Sequence, residues 1–185
     1  MANGLSGKRI AILATDGFEE SELQEPLKAL KQAGAAVEVV APKKGRIQGL
    51  KHLDQGEAVA VDRPLEEARP QDYAALVLPG GVVNADALRL DRKAVDFVRH
   101  FRDSRKPIAA ICHGPWALIE ADAVRGHRMT SWPSLKTDLR NAGADWVDAE
   151  VIVDNGLVTS RKPADLPAFC ARMIEMFREA RPAAA

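Results

Sequence analysis

The sequence predicts an α/β fold in which a mostly parallel sheet carries helices on both faces, and two observations support that prediction. Short apolar runs alternate with segments of helical periodicity, the order from which parallel sheets are built. Those runs are apolar at nearly every position rather than every second one, as strands covered on both faces require.

The first run, KRIAILA at 8–14, leads into a helix over about 20–33 with Leu23, Leu27 and Leu30 on one stripe. AVEVVA at 36–41 is the next strand. Between 45 and 61 the rhythm breaks, and RIQGL and EAVAVD read as an extra hairpin or edge, with Lys43-Lys44-Gly45-Arg46 as a solvated turn. YAALVLP at 73–79 returns to the sheet and is followed by a helix over 91–103, its apolar stripe set by Val95, Val98 and Phe101. PIAAIC at 107–112 is another buried strand, with a helix starting at about Gly114. In AEVIVDNGLVTSR, Asn155-Gly156 between two β-prone runs marks a hairpin. A closing helix after Asp165 aligns Leu166, Phe169, Cys170, Met173, Ile174 and Phe177 on one core stripe, which makes Cys170 a small buried hydrophobe.

The 185 residues are 46% hydrophobic, enough for one well-buried domain over 1–185, with 1–7 and 180–185 expected to fray. Lys plus Arg equals Asp plus Glu at 26 each, and no basic stripe points to a nucleic acid partner. No window is apolar enough for a signal peptide or membrane span, so a soluble cytoplasmic protein with no membrane partner is expected. Two cysteines in that compartment stay reduced.

Ligands of open α/β sheets bind at the carboxyl ends of the strands, and three strand ends here carry unusual residues. DGFEESEL brings Glu19, Glu20 and Glu22; PGGVVNADALR brings Gly80, Gly81 and Asp86; AAICHGP brings Cys112 and His113. AICHGPWALI has the strand, nucleophile, small residue, helix order of a nucleophile elbow, and the helix after it favours a thiolate. Cys112 is either a structural thiol or an activated nucleophile, and the polar imidazole beside it favours the second reading. Glu20 fits helix-dipole complementation, whereas Glu19 and Glu22, three apart, share a face over the same pocket. Gly80-Gly81 is a plain turn or a backbone nest for an oxyanion. No histidine or cysteine pair has metal-ligand spacing, and neither a P-loop nor a G-x-G-x-x-G is present, so neither metal nor cofactor is expected. Among the other histidines, His100 reads as surface, His127 begins a strand-like stretch, and His52 has a route to the pocket from the extra hairpin.

LVLPGG, AAICHGPWAL, DGFEESEL, TSWPSLKTDLRNAGADWVD and VTSRKPADLPAF together resemble the PfpI family of intracellular cysteine hydrolases. That family shares a superfamily with the Parkinsonism-associated deglycase and the class I glutamine amidotransferases. The resemblance runs from about Lys8 to Phe177. It implies a flavodoxin-like three-layer sandwich, a homodimer or higher oligomer, Cys112 as nucleophile, His113 as adjacent base, Glu22 as the acid paired with the thiol, and Glu19 as a second pocket acid. It also implies that a neighbouring subunit contributes a third catalytic residue, best matched by Asp86, although GGVVNADALR is one residue longer than in some members and has aspartate for their glutamate. A glutaminase is ruled against, because no histidine follows position 127.

These readings converge on a cytoplasmic stress-response cysteine hydrolase, free of cofactors. It is expected to act on reactive aldehydes or glycation adducts as a glyoxalase or deglycase, or on peptide bonds. The alternative is a redox sensor or holdase chaperone in which Cys112 is oxidised without turnover.

Overall fold

A computed structural model describes residues 4–179. In chain order the elements are β1 (Arg9–Leu13), β2 (Phe18–Glu19), α1 (Glu20–Gln32), β3 (Ala36–Ala41), β4 (Arg46–Lys51), β5 (Asp54–Ala60), β6 (Arg63–Pro64) and β7 (Ala75–Leu78). They continue as α2 (Val82–Leu90), α3 (Arg92–Asp103), β8 (Ile108–Ile111), α4 (Pro115–Glu120), β9 (Arg128–Met129), α5 (Lys136–Asn141), β10 (Asp145–Trp146), β11 (Val151–Asp154), β12 (Leu157–Ser160) and α6 (Leu166–Glu179).

The central sheet has seven strands in the order β11-β12-β8-β7-β1-β3-β6, parallel throughout except for the β11–β12 hairpin. It is the flavodoxin-like three-layer arrangement that the sequence predicts. Successive residues of a strand face opposite sides, so Ala11 and Leu13 pack with Leu88, Val98, Phe101 and Leu118 from α2, α3 and α4. Ile10 and Ile12 pack with Leu23 and Leu30 of α1 and with Phe169, Met173 and Phe177 of α6. Burial on both sides is what makes the strand runs continuously apolar.

From β1 the chain moves outward to β3, then returns to the other side of β1 as β7 and continues to β8. The crevice where strand order reverses therefore lies between β1 and β7, with the end of β8 next to it. The extra hairpin is β4–β5, and β2 joins it through Phe18↔Gly49 and Glu19↔Leu50. At the β11–β12 turn, Asn155 and Gly156 have φ of 44° and 81°, both in the left-handed region that a tight hairpin turn needs.

Two expectations change at the edges. Leu5, placed in the frayed start, is fully buried, and its N–H donates to Ala33 O at 2.9 Å; residues 1–3 and 180–185 lie outside the described residues. Cys170 is half-buried rather than buried, on the flank of the stripe formed by Leu166, Phe169, Met173 and Phe177. Among the described residues no helix is long and apolar enough to cross a membrane.

Candidate active site

The ends of β1, β7 and β8 are neighbours in the sheet, so the three segments singled out by sequence meet. β8 ends at Ile111 and is followed at once by Cys112, whose φ of 60° turns the chain sharply out of the strand direction. The turn breaks the strand's alternation, and Ile111 and Cys112 both fall on the α1/α6 side. A non-glycine residue in that conformation costs about 1–3 kcal/mol and persists only where its surroundings enforce it. Here the Cys112 N–H donates to Ser160 O at 3.0 Å, and the Cys112 carbonyl accepts from Trp132 N at 2.9 Å. Gly114 completes the elbow, because a Cβ at that position would press on the carbonyl oxygens of Leu78 and Ile111.

Glu22, in the first turn of α1, is completely buried. Its Oε2 accepts from Gly80 N at 2.9 Å, while Oε1 has no N–H or O–H partner among the described residues. Burial, reinforced by the charge of Glu19, pushes its carboxyl from 4.5 up to about 8, against the opposing hydrogen bonds to Gly80 and Cys112. At neutral pH the carboxyl is therefore protonated and can donate a proton to the sulfur.

Cys112 itself is 7% exposed. Burial, and then the charge of Glu22, push its thiol above the ordinary value, while the backbone N–H groups of Gly81 and His113 pull it back. A helix terminus alone does not secure a thiolate here; α4 is six residues long and its effect competes with desolvation.

His113 Nδ1 lies 3.2 Å from Cys112 Sγ, and burial lowers the imidazole below its ordinary value, leaving it neutral at pH 7. The ring is held between Trp116, edge-on at 5.2 Å, and Trp132, stacked at 5.9 Å. Trp116 is fixed in turn by Asp138, which accepts from its indole nitrogen at 3.0 Å, and by the Arg89 guanidinium over its ring at 5.4 Å. Sequence reading missed both indoles. Their signal was the pair of tryptophans in HGPW and TSWPS, each next to a proline that starts a helical turn.

The two glycines divide the work expected of them jointly. Gly80 cannot supply an oxyanion donor, because its N–H is taken by Glu22; its smallness is what matters, since a Cβ would meet Glu22 Oε2 and Cys112 Cβ. Gly81, at φ 89°, aims its N–H at the sulfur. Buried Asn84 holds this loop, donating to the carbonyls of Pro79 and Gly80 at 3.1 and 3.0 Å and accepting from Thr15 N at 2.7 Å. Only contacts between segments distant in sequence reveal that role, and no local pattern announces it.

Glu19 caps the start of α1, and its Oε2 accepts from His52 N at 3.0 Å. The hairpin thus reaches the site through backbone, with the His52 side chain largely exposed. Glu20 does more than complement the helix dipole: it is buried and accepts from Glu57 N, tying β5 to α1. Asp86 is exposed on α2, and its carboxylate makes no hydrogen bond or ion pair among the described residues. Within one chain it is not part of the Cys112 cluster.

The arrangement offers a sulfur nucleophile, a neutral carboxylic acid beside it, two backbone N–H groups converging on the reacting atom, and a neutral imidazole within reach. That set suits addition to a carbonyl, in which charge moves from sulfur to oxygen.

A model of the DJ-1/PfpI family matches residues 8–176. A deglycase of Pyrococcus abyssi is 45% identical over 170 residues, covering 92% of this chain and 99% of the relative. General stress protein 18 of Bacillus subtilis is 46% identical over 166 residues, 88% and 94% of the two chains. Among solved structures, Drosophila melanogaster DJ-1beta superposes with a TM-score of 0.84 at 27% identity, covering 94% of this chain and 91% of that one.

Proposed function

The chain belongs to the DJ-1/PfpI family, and from that premise we propose that it is a cofactor-independent cysteine enzyme of stress defence that repairs or removes reactive aldehydes and their early glycation adducts. The observation that carries this reading is the buried Glu22–Cys112 pair, an acid held neutral beside a sulfur that two N–H groups approach. The deglycase and stress-protein names of its relatives point the same way.

With methylglyoxal as substrate, Sγ adds to the aldehyde carbon as the neutral His113 ring takes the thiol proton, and the carbonyl electrons move to oxygen, which takes the proton of Glu22. The Gly81 and His113 N–H groups stabilise the negative charge before it is neutralised. The Glu22 carboxylate then removes the proton from the carbinol carbon and returns one to the neighbouring carbon, while the His113 imidazolium protonates the neighbouring oxygen and takes the proton of the carbinol oxygen. The resulting thioester is hydrolysed by water to lactate and the thiol, with Glu22 reprotonated and His113 neutral again. A glycation adduct enters the same sequence after loss of its amine.

Peptide hydrolysis demands more: a protonated base to expel the amine, and a groove for the chain. Asp86, exposed on α2, would have to orient His113 from a second copy of this chain in a homodimer or larger oligomer. We assign peptidase action second place for that reason. The two free cysteines fit a reducing, cytoplasmic setting.

Methylglyoxal consumption by wild type and Cys112→Ser, with labelled casein cleavage run in parallel, tests the proposal. Catalytic aldehyde loss confined to wild type is the expected result. Cys112-dependent casein cleavage without aldehyde turnover would transfer the assignment to a peptidase. Stoichiometric oxidation of Cys112 with neither turnover would favour the redox sensor.

A further inference from the structure

At the amino ends of β8 and β12, the end of the strands opposite the elbow, a cavity of about 530 Å³ is lined by Arg102, Arg105, Lys106, Arg125 and His127 and by the β11–β12 turn. Among the described residues no aspartate or glutamate lines it, and Ile108, Ala123 and Leu157 supply apolar surface. Ile108 is four residues before Cys112, roughly 13 Å along the strand, so the two sites share no side chain.

The cations divide into two groups. Lys106 Nζ is spent on the carbonyls of Pro70, Gln71 and Tyr73, and Arg102 on Asp103 and the carbonyls of Ala121 and Asp122. These two shape the wall. Arg105 has no ion pair among the described residues, and Arg125 has only a 4.0 Å approach to Asp122 with both side chains largely exposed, a weak interaction.

His127 is the third available group, able to donate from Nε2 when the ring carries both protons. Its Nδ1 is 3.0 Å from Asp154 Oδ2, which also accepts from Arg128 N at 3.1 Å, while Asp154 Oδ1 accepts from Asn155 Nδ2 at 3.1 Å. The carboxylate is thus occupied and fixes the ring, leaving Nε2 without a partner as the nitrogen free for the cavity. The next two residues, Asn155 and Gly156, form a rigid turn that closes one side.

We propose that this cavity is a binding site for a small phosphomonoester. The phosphate would sit among Arg105, Arg125 and His127 Nε2, and the organic part would lie on Ile108, Ala123 and Leu157. Guanidinium groups match phosphate oxygens in a fork geometry, the imidazolium form of His127 adds a directed Nε2–H donor, and the volume is that of a small-molecule site. The surplus of unpaired cations over carboxylates lining the cavity selects an anion, and the apolar floor selects an organic one.

The test is titration of the full chain with glycerol 3-phosphate and, separately, inorganic phosphate at fixed ionic strength, followed by amide NMR shifts and calorimetry. Saturable glycerol 3-phosphate binding is expected, with shifts confined to residues 102–108, 123–127 and 154–157. Arg105→Ser/Arg125→Ser should weaken it at least about tenfold, as loss of charge-assisted contacts predicts, and His127→Gln should weaken it less. Both arginines are exposed, and an unchanged melting temperature and aldehyde turnover will report that the variants are folded. Non-saturable binding, or binding indifferent to the double substitution, overturns the site. Equal affinity for inorganic phosphate overturns the organic ligand.

Discussion

Replacing Glu22 by glutamine should stabilise the protein at high pH while abolishing its turnover. Folding raises the Glu22 carboxyl from 4.5 to about 8, so across that window the folded state keeps a proton that the unfolded chain has lost. The contribution of that group to stability is complete below about pH 4.5, declines as pH rises, and is gone above about pH 8. At 1.36 kcal/mol for each pH unit the decline has an upper bound of about 5 kcal/mol, and the carboxyl is fully buried, so little of this is screened by solvent. Glutamine keeps the shape and an acceptor for the Gly80 N–H but never ionises. The comparison belongs in a Cys112→Ser background, which removes the titration of the thiol. Urea unfolding followed by tryptophan fluorescence at about pH 5, 7 and 9 should give near-equal stabilities at the lowest pH and a glutamine variant ahead by several kcal/mol at the highest. A difference that stays constant across that range would refute a carboxyl held neutral by burial.

Three further outcomes follow from the same geometry. Asn84→Ala strands the Pro79 carbonyl and the part-buried Thr15 N–H, leaves the Gly80 carbonyl with Glu19 N as its partner, and should lower unfolding free energy by about 2–4 kcal/mol in denaturant titration. Cys112→Gly removes the strain of a side chain at φ 60° and should raise stability by about 1 kcal/mol in the same assay while eliminating activity; a loss of stability would count against strain at the elbow. At pH 7, infrared difference spectra of wild type against Glu22→Gln should show a carboxylic-acid carbonyl band present only in wild type, and its absence would mean that the proton lies elsewhere.

Much of the fold could be read locally because it is locally encoded. The buried strands are written as unbroken apolar runs, the β11–β12 turn as Asn155-Gly156, and the elbow as a strand followed at once by Cys-His-Gly-Pro. What escaped was everything set by partners distant in sequence. Gly80 reads as an anion nest until Glu22, 58 residues earlier, occupies its N–H. Glu20 reads as an ordinary first-turn acid until β5 lies against it. Cys170 sits at the right helical spacing for burial, but the stripe is narrower than its six members, and the thiol falls on the edge. The indoles around His113 come from α4 and from the segment after β9, brought together by the Trp132 N–H on the Cys112 carbonyl, a contact that no periodicity announces.

The direction of the shared proton follows from comparing the two partners. Glu22 and Cys112 are buried together and in contact; burial raises both, and the Glu22 charge raises the thiol further, so the pair loses its first proton as a unit. The first charge settles where solvation by the protein is better. The sulfur has two backbone N–H groups, a helix start beside it and 7% exposure. The carboxylate would have one N–H, from Gly80, no exposure, and the charge of Glu19 against it. On those terms both groups keep their protons at neutral pH, and in the proposed reaction the sulfur gives up its proton first while the acid beside it stays neutral until the new oxygen forms. The same burial that raises both groups keeps the proton between them, so that forming the S–C bond and protonating the new oxygen need no exchange with solvent.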